Sequence, residues 1–237
     1  MRQLIPDVYL IEDLRGDSGN VYVLVSGDGL TLVDSGLVGA ADQITAQLQE
    51  AGYVLSDVQT IVLTHFHGDH SGSVAELARR CGARVLAHRY DVPYIERTGP
   101  LPFDSLLQRL LNWLGFKLLK PNPCQVNQVL QDEDVIEALD GLQVIHTPGH
   151  TRGSIALYQP ERQILFCGDT FFNKNPLTGR KGLRLSIPLF TMDRPQMRAS
   201  ARKLAELPVE VLCFGHGEPM LKGAGARIQA MLSYESG

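Results

Sequence analysis

Thr60-Ile61-Val62-Leu63 runs directly into Thr64-His65-Phe66-His67-Gly68-Asp69-His70, and the rest of the chain can be read outward from this stretch. A short apolar run rich in β-branched residues reads as a buried strand. Gly68 lets the chain turn sharply where the side chains must converge. Four metal-ligating side chains, His65, His67, Asp69 and His70, therefore fall in one loop at a strand end. Three later segments share this build: Leu142-Gln143-Val144-Ile145-His146-Thr147-Pro148-Gly149-His150, Ile164-Leu165-Phe166-Cys167-Gly168-Asp169 and Val211-Leu212-Cys213-Phe214-Gly215-His216-Gly217. Each reads as a strand whose C-terminal end delivers one imidazole or carboxylate to a loop.

A single loop histidine is usually a surface or satisfied core residue; the joint pattern carries the argument. Five of the seven histidines belong to it. Imidazole and carboxylate suit zinc, iron or manganese, whereas a thiolate site would need cysteine here. Seven donors are too many for one tetrahedral ion. They suit two neighbouring ions sharing a carboxylate, about 3.5–4 Å apart.

The set resembles the signature of the metallo-β-lactamase-fold hydrolases, His-x-His-x-Asp-His followed by His, Asp and His, and the resemblance runs from about Val8 to about Leu221. It implies an α+β fold, a four-layer αβ/βα sandwich. It also implies that His65, His67 and His150 hold one ion, that Asp69, His70 and His216 hold the other, and that Asp169 bridges them. Asp69 would be catalytic too, orienting a hydroxide or carrying a proton. Asp34, in Val33-Asp34-Ser35-Gly36, would hold a ligand imidazole rather than the metal, which fixes the tautomer and raises basicity. Read without the resemblance, Asp34 is equally a turn former at a strand end. The best-known β-lactamases carry cysteine at the position of Asp169. The aspartate points instead to the glyoxalase II and lactonase branches. Only 21 residues follow His216, too few for the helical extension that binds glutathione in glyoxalase II, so a glutathione thioester is not the favoured substrate.

The 237 residues, 44% of them apolar, can build a sizeable core. Because the ligands span Asp69 to His216, one domain over 1–237 is expected, with a helical insertion at about 89–134. Lys plus Arg (22) against Asp plus Glu (26) leaves −4. That balance suits a small-molecule substrate and gives no nucleic-acid footprint. Cys81, Cys124, Cys167 and Cys213 are scattered, as in a reduced cytoplasmic protein. No signal peptide and no apolar run of ~20 residues is present, so no membrane association is expected.

Strands are expected at Val8–Ile11, Val21–Val25, Leu30–Asp34 and Ala83–Ala87. A helix is expected from Ala40 to Ala51, ending at Gly52, and another from about Ser71 to Cys81, with Ser71 and Ser73 as caps and Gly82 as terminator. His88 and His146 read as ordinary strand-end residues. Within the insertion, Phe103, Leu106, Leu107, Leu110, Leu111 and Leu114 recur at helical spacing. Three roles are open to that face: packing on the core, a homodimer contact, or the roof of an acyl pocket. Asn173–Pro188 reads as a loop carrying Lys174, Arg180, Lys181 and Arg184, and a helix from Leu221 to Tyr234 closes the chain. Substrate-binding residues are not assigned by the sequence.

Two divalent ions, zinc first and iron or manganese as alternatives, lower the pKa of a shared water to about 7. The expected reaction is hydrolysis of a carboxylic ester, thioester or lactone by the hydroxide so produced. No serine lies in a Gly-x-Ser-x-Gly context. The alternative activity is a mononuclear-iron persulfide dioxygenase. A phosphodiesterase ranks below it for want of basic charge, and a flavodiiron protein for want of a flavin-binding domain. A non-catalytic site would close a four-ligand shell instead.

Overall fold

The computed structural model describes residues 1–14, 18–27, 29–100 and 121–234. They group into two compact units, Met1–Leu130 and Gln131–Gly237. The helix expected over 103–116 lies outside the described residues.

The first unit is built on one sheet whose strands follow chain order: β1 (Arg2–Ile5), β2 (Val8–Leu10), β3 (Tyr22–Ser26), β4 (Gly29–Val33), β5 (Val58–Val62), β6 (Arg84–His88) and β7 (Gln128–Leu130). Neighbours pair antiparallel from β1 to β4 and parallel from β4 to β7. The switch follows the connections, because parallel neighbours need a crossover segment rather than a hairpin. Helix α1 (Ala41–Glu50) crosses from β4 to β5 and buries Ala41, Ile44 and Leu48 at helical spacing. Gly52, at φ +88°, closes it in the left-handed conformation that favours glycine. Parallel pairing sets the C-terminal ends of β4, β5 and β6 along one edge. These ends lead into Asp34, the Thr64–His70 loop and Asp91.

The helix expected from Ser71 to Cys81 is two helices, α2 (Gly68–Ser71) and α3 (Val74–Cys81). Neither serine caps. The Ser71 hydroxyl donates to the Phe66 carbonyl at 2.8 Å. Ser73 Oγ donates to Leu37 O at 2.5 Å and accepts from Ala40 N at 2.9 Å. Its hydroxyl thus ties this crossover to the start of α1, a tertiary use that outweighs the local cap. A further short helix, α4 (Val92–Ile95), follows β6.

The second unit contains β8 (Val135–Ile136), β9 (Leu142–His146), β10 (Ile155–Gln159), β11 (Ile164–Phe166), the hairpin of β12 (Phe171–Lys174) and β13 (Lys181–Leu185), helix α5 (Arg194–Ala205), β14 (Val211–Cys213) and helix α6 (Ala224–Tyr234). The sheet order is β14-β11-β10-β9-β8, with β11 and β14 parallel and the other pairs antiparallel. Met197, Ala201 and Leu204 of α5 and Ala224 and Ile228 of α6 form one core with Tyr158, Leu165, Leu212 and Phe214. Full burial of such a large apolar side chain contributes roughly 1.5–3 kcal/mol. The β12–β13 hairpin corrects the loop expected from Asn173 to Pro188. Leu183 and Leu185 alternate with Gly182 and Arg184, a period-two signal that the surrounding basic residues obscure. Helix α6 starts at Ala224, later than the expected Leu221, because Gly223 turns at φ +62°. Among the described residues no helix is long and apolar enough to cross a membrane.

Candidate metal centre

In the first unit the loop after β5 is organised by a carboxylate from the end of β4. Asp34 adopts φ +64°, a conformation that aspartate tolerates better than most residues, and is 2% exposed. Its Oδ1 accepts from Thr64 N at 2.7 Å and its Oδ2 from Thr64 Oγ1 at 2.8 Å. The same Oδ2 lies 2.8 Å from His70 Nδ1. Because a carboxylate only accepts, His70 carries its proton on Nδ1 and the lone pair on Nε2. The relay extends further. The Thr64 hydroxyl has given its hydrogen to Asp34, so it accepts from His65 Nδ1, 3.1 Å away. One buried carboxylate thereby sets the tautomer of two imidazoles.

Three other contacts shape this loop. Asp91, 1% exposed, accepts the Phe66 N–H at 2.9 Å and pins the backbone between His65 and His67. The His67 carbonyl accepts from His70 N and Ser71 N, opening α2 so that Asp69 and His70 lie on its first turn. Gly19 packs face-on against His70, where a Cβ would stand 2.7 Å from the ring. Asp69 keeps a 30% exposed side chain, with Oδ2 3.7 Å from His70 Nε2.

In the second unit three strand ends supply one donor each. Past β9, Gly149 turns at φ +133° with the Met197 backbone where a Cβ would sit, and presents His150. His150 Nδ1 is 2.7 Å from Ser186 Oγ. Asp169 follows β11, and His216 follows β14. The imidazoles converge on one carboxylate oxygen, with Asp169 Oδ2 3.3 Å from His150 Nε2 and 3.6 Å from His216 Nε2. The fully buried Phe172 ring packs edge-on against both, at centroid distances of 6.4 Å and 5.1 Å.

These spacings test whether the donors suit a metal. Two donors about 2.0–2.2 Å from one ion at near-tetrahedral angles lie roughly 3.3–3.6 Å apart. The second unit's separations fall in that range, and the 3.7 Å of Asp69 and His70 is close to it. They are too long for charge-assisted hydrogen bonds, which run to about 2.9 Å. The donors are imidazole Nε2 and carboxylate oxygen. Cys167 and Cys213 contribute no thiolate: burial pushes both thiols well above their usual range, so they stay protonated within the sheet. His88 and His146 sit outside both sets, and His146 Nε2 donates to the Arg152 carbonyl at 2.9 Å.

The metallo-β-lactamase superfamily model matches residues 14–216. The chain belongs to the metallo-β-lactamase superfamily. Among its relatives, the probable metallo-hydrolase YqjP of Bacillus subtilis is 30% identical over 225 residues, covering 85% of this chain and 68% of that one. The hydroxyacylglutathione hydrolase of Xanthomonas euvesicatoria is 32% identical over 212 residues, covering 89% of this chain and 65% of the relative. A metallo-β-lactamase family protein from Thermus thermophilus superposes with a TM-score of 0.74 at 24% identity, covering 99% of this chain and 81% of that one. A subclass B3 metallo-β-lactamase of Bradyrhizobium japonicum gives 0.72 at 22%, covering 99% and 91%. The two structural likenesses establish the metallo-β-lactamase fold, with its two mixed sheets and flanking helices. With the curated relatives, the His/Asp donor groups make this superfamily member a metallo-hydrolase.

Sequence reasoning singled out the seven candidate donors and Asp34. It missed Thr64, Asp91, Ser186, Phe172 and the packing role of Gly19. Thr64 had a legible signal, since a hydroxyl directly before a ligand histidine is placed to touch its ring. The others act across 22 to 51 residues of sequence and carry no local mark.

Proposed function

We propose that the protein hydrolyses a carboxylic ester, thioester or lactone with two divalent ions, zinc above iron or manganese, with His65, His67, Asp69, His70, His150, Asp169 and His216 as the candidate ligands. The observation that carries this reading is the convergence of two imidazoles on one oxygen of Asp169, the residue we assign as the bridge. Ions bound there would supply an activated water at neutral pH and a Lewis acid for a carbonyl oxygen. The chain's own groups do the rest. Asp34 keeps the lone pairs of His70 and, through Thr64, of His65 on Nε2. Ser186 does the same for His150 when Nδ1–H donates to it. Asp69 combines partial exposure with a place in the ligand loop, and we assign it the proton released when water attacks.

The thioester arm draws support from the hydroxyacylglutathione hydrolase relative, which this chain matches over 65% of that protein's length. We expect a small-molecule substrate and no nucleic-acid or membrane partner.

Elemental analysis of the purified protein, combined with a panel of esters, thioesters and lactones, tests the reading. Two ions per chain with turnover of one panel class is the expected result. One iron per chain with oxygen consumption on a persulfide would instead establish the dioxygenase alternative.

A further inference from the structure

Between Thr170 and Met192 the chain has four basic residues and no acidic one, although its net charge is −4. The β12–β13 register gathers them. Lys174 stands directly opposite Lys181, and Arg184 opposite Phe172. Like charges facing each other across a strand pair destabilise it unless a counter-charge intervenes. Among the described residues no carboxylate pairs with Arg180, Lys181 or Arg184.

The register also decides which face these groups share. Directly paired residues in an antiparallel ladder project to the same side, as do residues two apart on one strand. Arg184 therefore shares a face with its partner Phe172 and with Ser186. Those two residues touch the candidate ligands: Phe172 packs on His150 and His216, and Ser186 reaches His150 Nδ1. Two residues along a strand span about 6.6 Å, so Arg184 is one such step from the residue that orients His150. Its guanidinium is held in place, with Nε donating to Gly182 O at 3.0 Å and Nη2 to Lys181 O at 3.1 Å. A guanidinium has five N–H donors, so most of its capacity remains for a ligand.

We infer that this hairpin face selects a substrate bearing an anionic group, carboxylate or phosphate, with Arg184 as its principal contact and Lys181 as the supporting charge. The inference rests on the hydrolase reading and narrows it to acidic acyl or alcohol moieties. Arg184 is suited to hold two oxygens of such a group in its planar fork, while Lys181 adds a point charge.

The test pairs acidic and neutral substrates of equal length: the methyl monothioester of succinate, the methyl thioester of pentanoate, and a thioester ending in a phosphate. Arg184→Gln and the separate Lys181→Gln should each lower the acidic-to-neutral ratio of kcat/KM, by about tenfold for Arg184 and less for Lys181. The succinyl and phosphate arms tell which anion is read. Arg184→Lys should recover part of the ratio. Calorimetric titration with succinate against butyrate supplies a readout independent of turnover. Succinate should bind the parent protein at least tenfold tighter and lose that margin in Arg184→Gln. Equal losses on acidic and neutral substrates, with no succinate preference, would overturn the inference and leave the hydrolase reading intact. Succinate preference without turnover of any thioester, ester or lactone would do the reverse.

Discussion

The two units organise their candidate ligands by different means. In the first, four donors sit within six residues, and a dedicated polar network fixes them: Asp34 and Thr64 set the rings, and Asp91 holds the intervening backbone. In the second, the three donors are spread over 67 residues (His150 to His216), one per strand end. Sheet register and the Phe172 ring hold them, with the Ser186 hydroxyl hydrogen-bonded to the His150 ring. The contrast is one of redundancy. A loop without a ladder needs several polar anchors to stay ordered, whereas strand ends inherit their order from the sheet. Loss of a ligand should therefore cost most where donors converge, and loss of a supporting group should cost most in the first unit.

Asp169→Ala should have the largest effect. It removes the oxygen on which His150 and His216 converge, leaving the two imidazoles without the carboxylate between them. Activity should fall about 10³-fold, the order that follows loss of a key transition-state electrostatic group, and metal content should drop by at least one ion per chain. Retained stoichiometry with retained turnover would remove Asp169 from the bridging role.

Asp34 comes next. Asp34→Ala should weaken metal affinity by about 10–100-fold, as outer ligand partners typically do. Asp34→Asn is the sharper probe. Asparagine tolerates φ +64° and its carbonyl can still accept the Thr64 N–H, so the backbone is kept. Its amide nitrogen would then face His70 Nδ1 as a donor, forcing the proton to Nε2. Metal affinity should fall nearly as far as in Asp34→Ala while thermal stability falls less. Equal metal affinity in Asp34→Asn and the parent would show that Asp34 is only a turn former. Ser186→Ala, the corresponding change in the second unit, should cost tenfold or less, because Phe172 and the strand end still orient His150. A Ser186→Ala loss as large as that of Asp34→Ala would break the proposed contrast.

The same contrast explains what could be read in advance. The candidate donors were legible because ligation demands residue types that are conspicuous at strand ends beside glycine. The strands were legible because apolar runs such as Thr60–Leu63 and Ile164–Phe166 have no competing reading. The β12–β13 hairpin was not, since Gly182 and four cations mask the alternation that buries Leu185. The caps also failed. Ser73 satisfies backbone groups 33 and 36 residues away, and local sequence cannot show which of two partners a hydroxyl will choose.

The smallest expected effect lies at Asp132, which ties the end of β9 to α5 without touching a ligand. Its carboxylate accepts from His146 N at 2.7 Å and from Lys203 Nζ at 2.9 Å. Burial alone would push the carboxyl up, but the His146 N–H and the Lys203 ammonium outweigh it and hold the group below its usual range. A depressed folded-state pKa stabilises the protein above the unfolded value, near 3.9, and that contribution disappears as pH falls through the folded value. Both side chains are over 40% exposed, so solvent screening keeps the ion pair to less than about 1 kcal/mol. Asp132→Asn should lower the midpoint of thermal unfolding slightly at pH 7 and match the parent near pH 2, with metal content unchanged at neutral pH. A metal loss in Asp132→Asn approaching that of Ser186→Ala would mean that the second unit, too, depends on a polar anchor behind its ligands, and the distinction between the two units would fail.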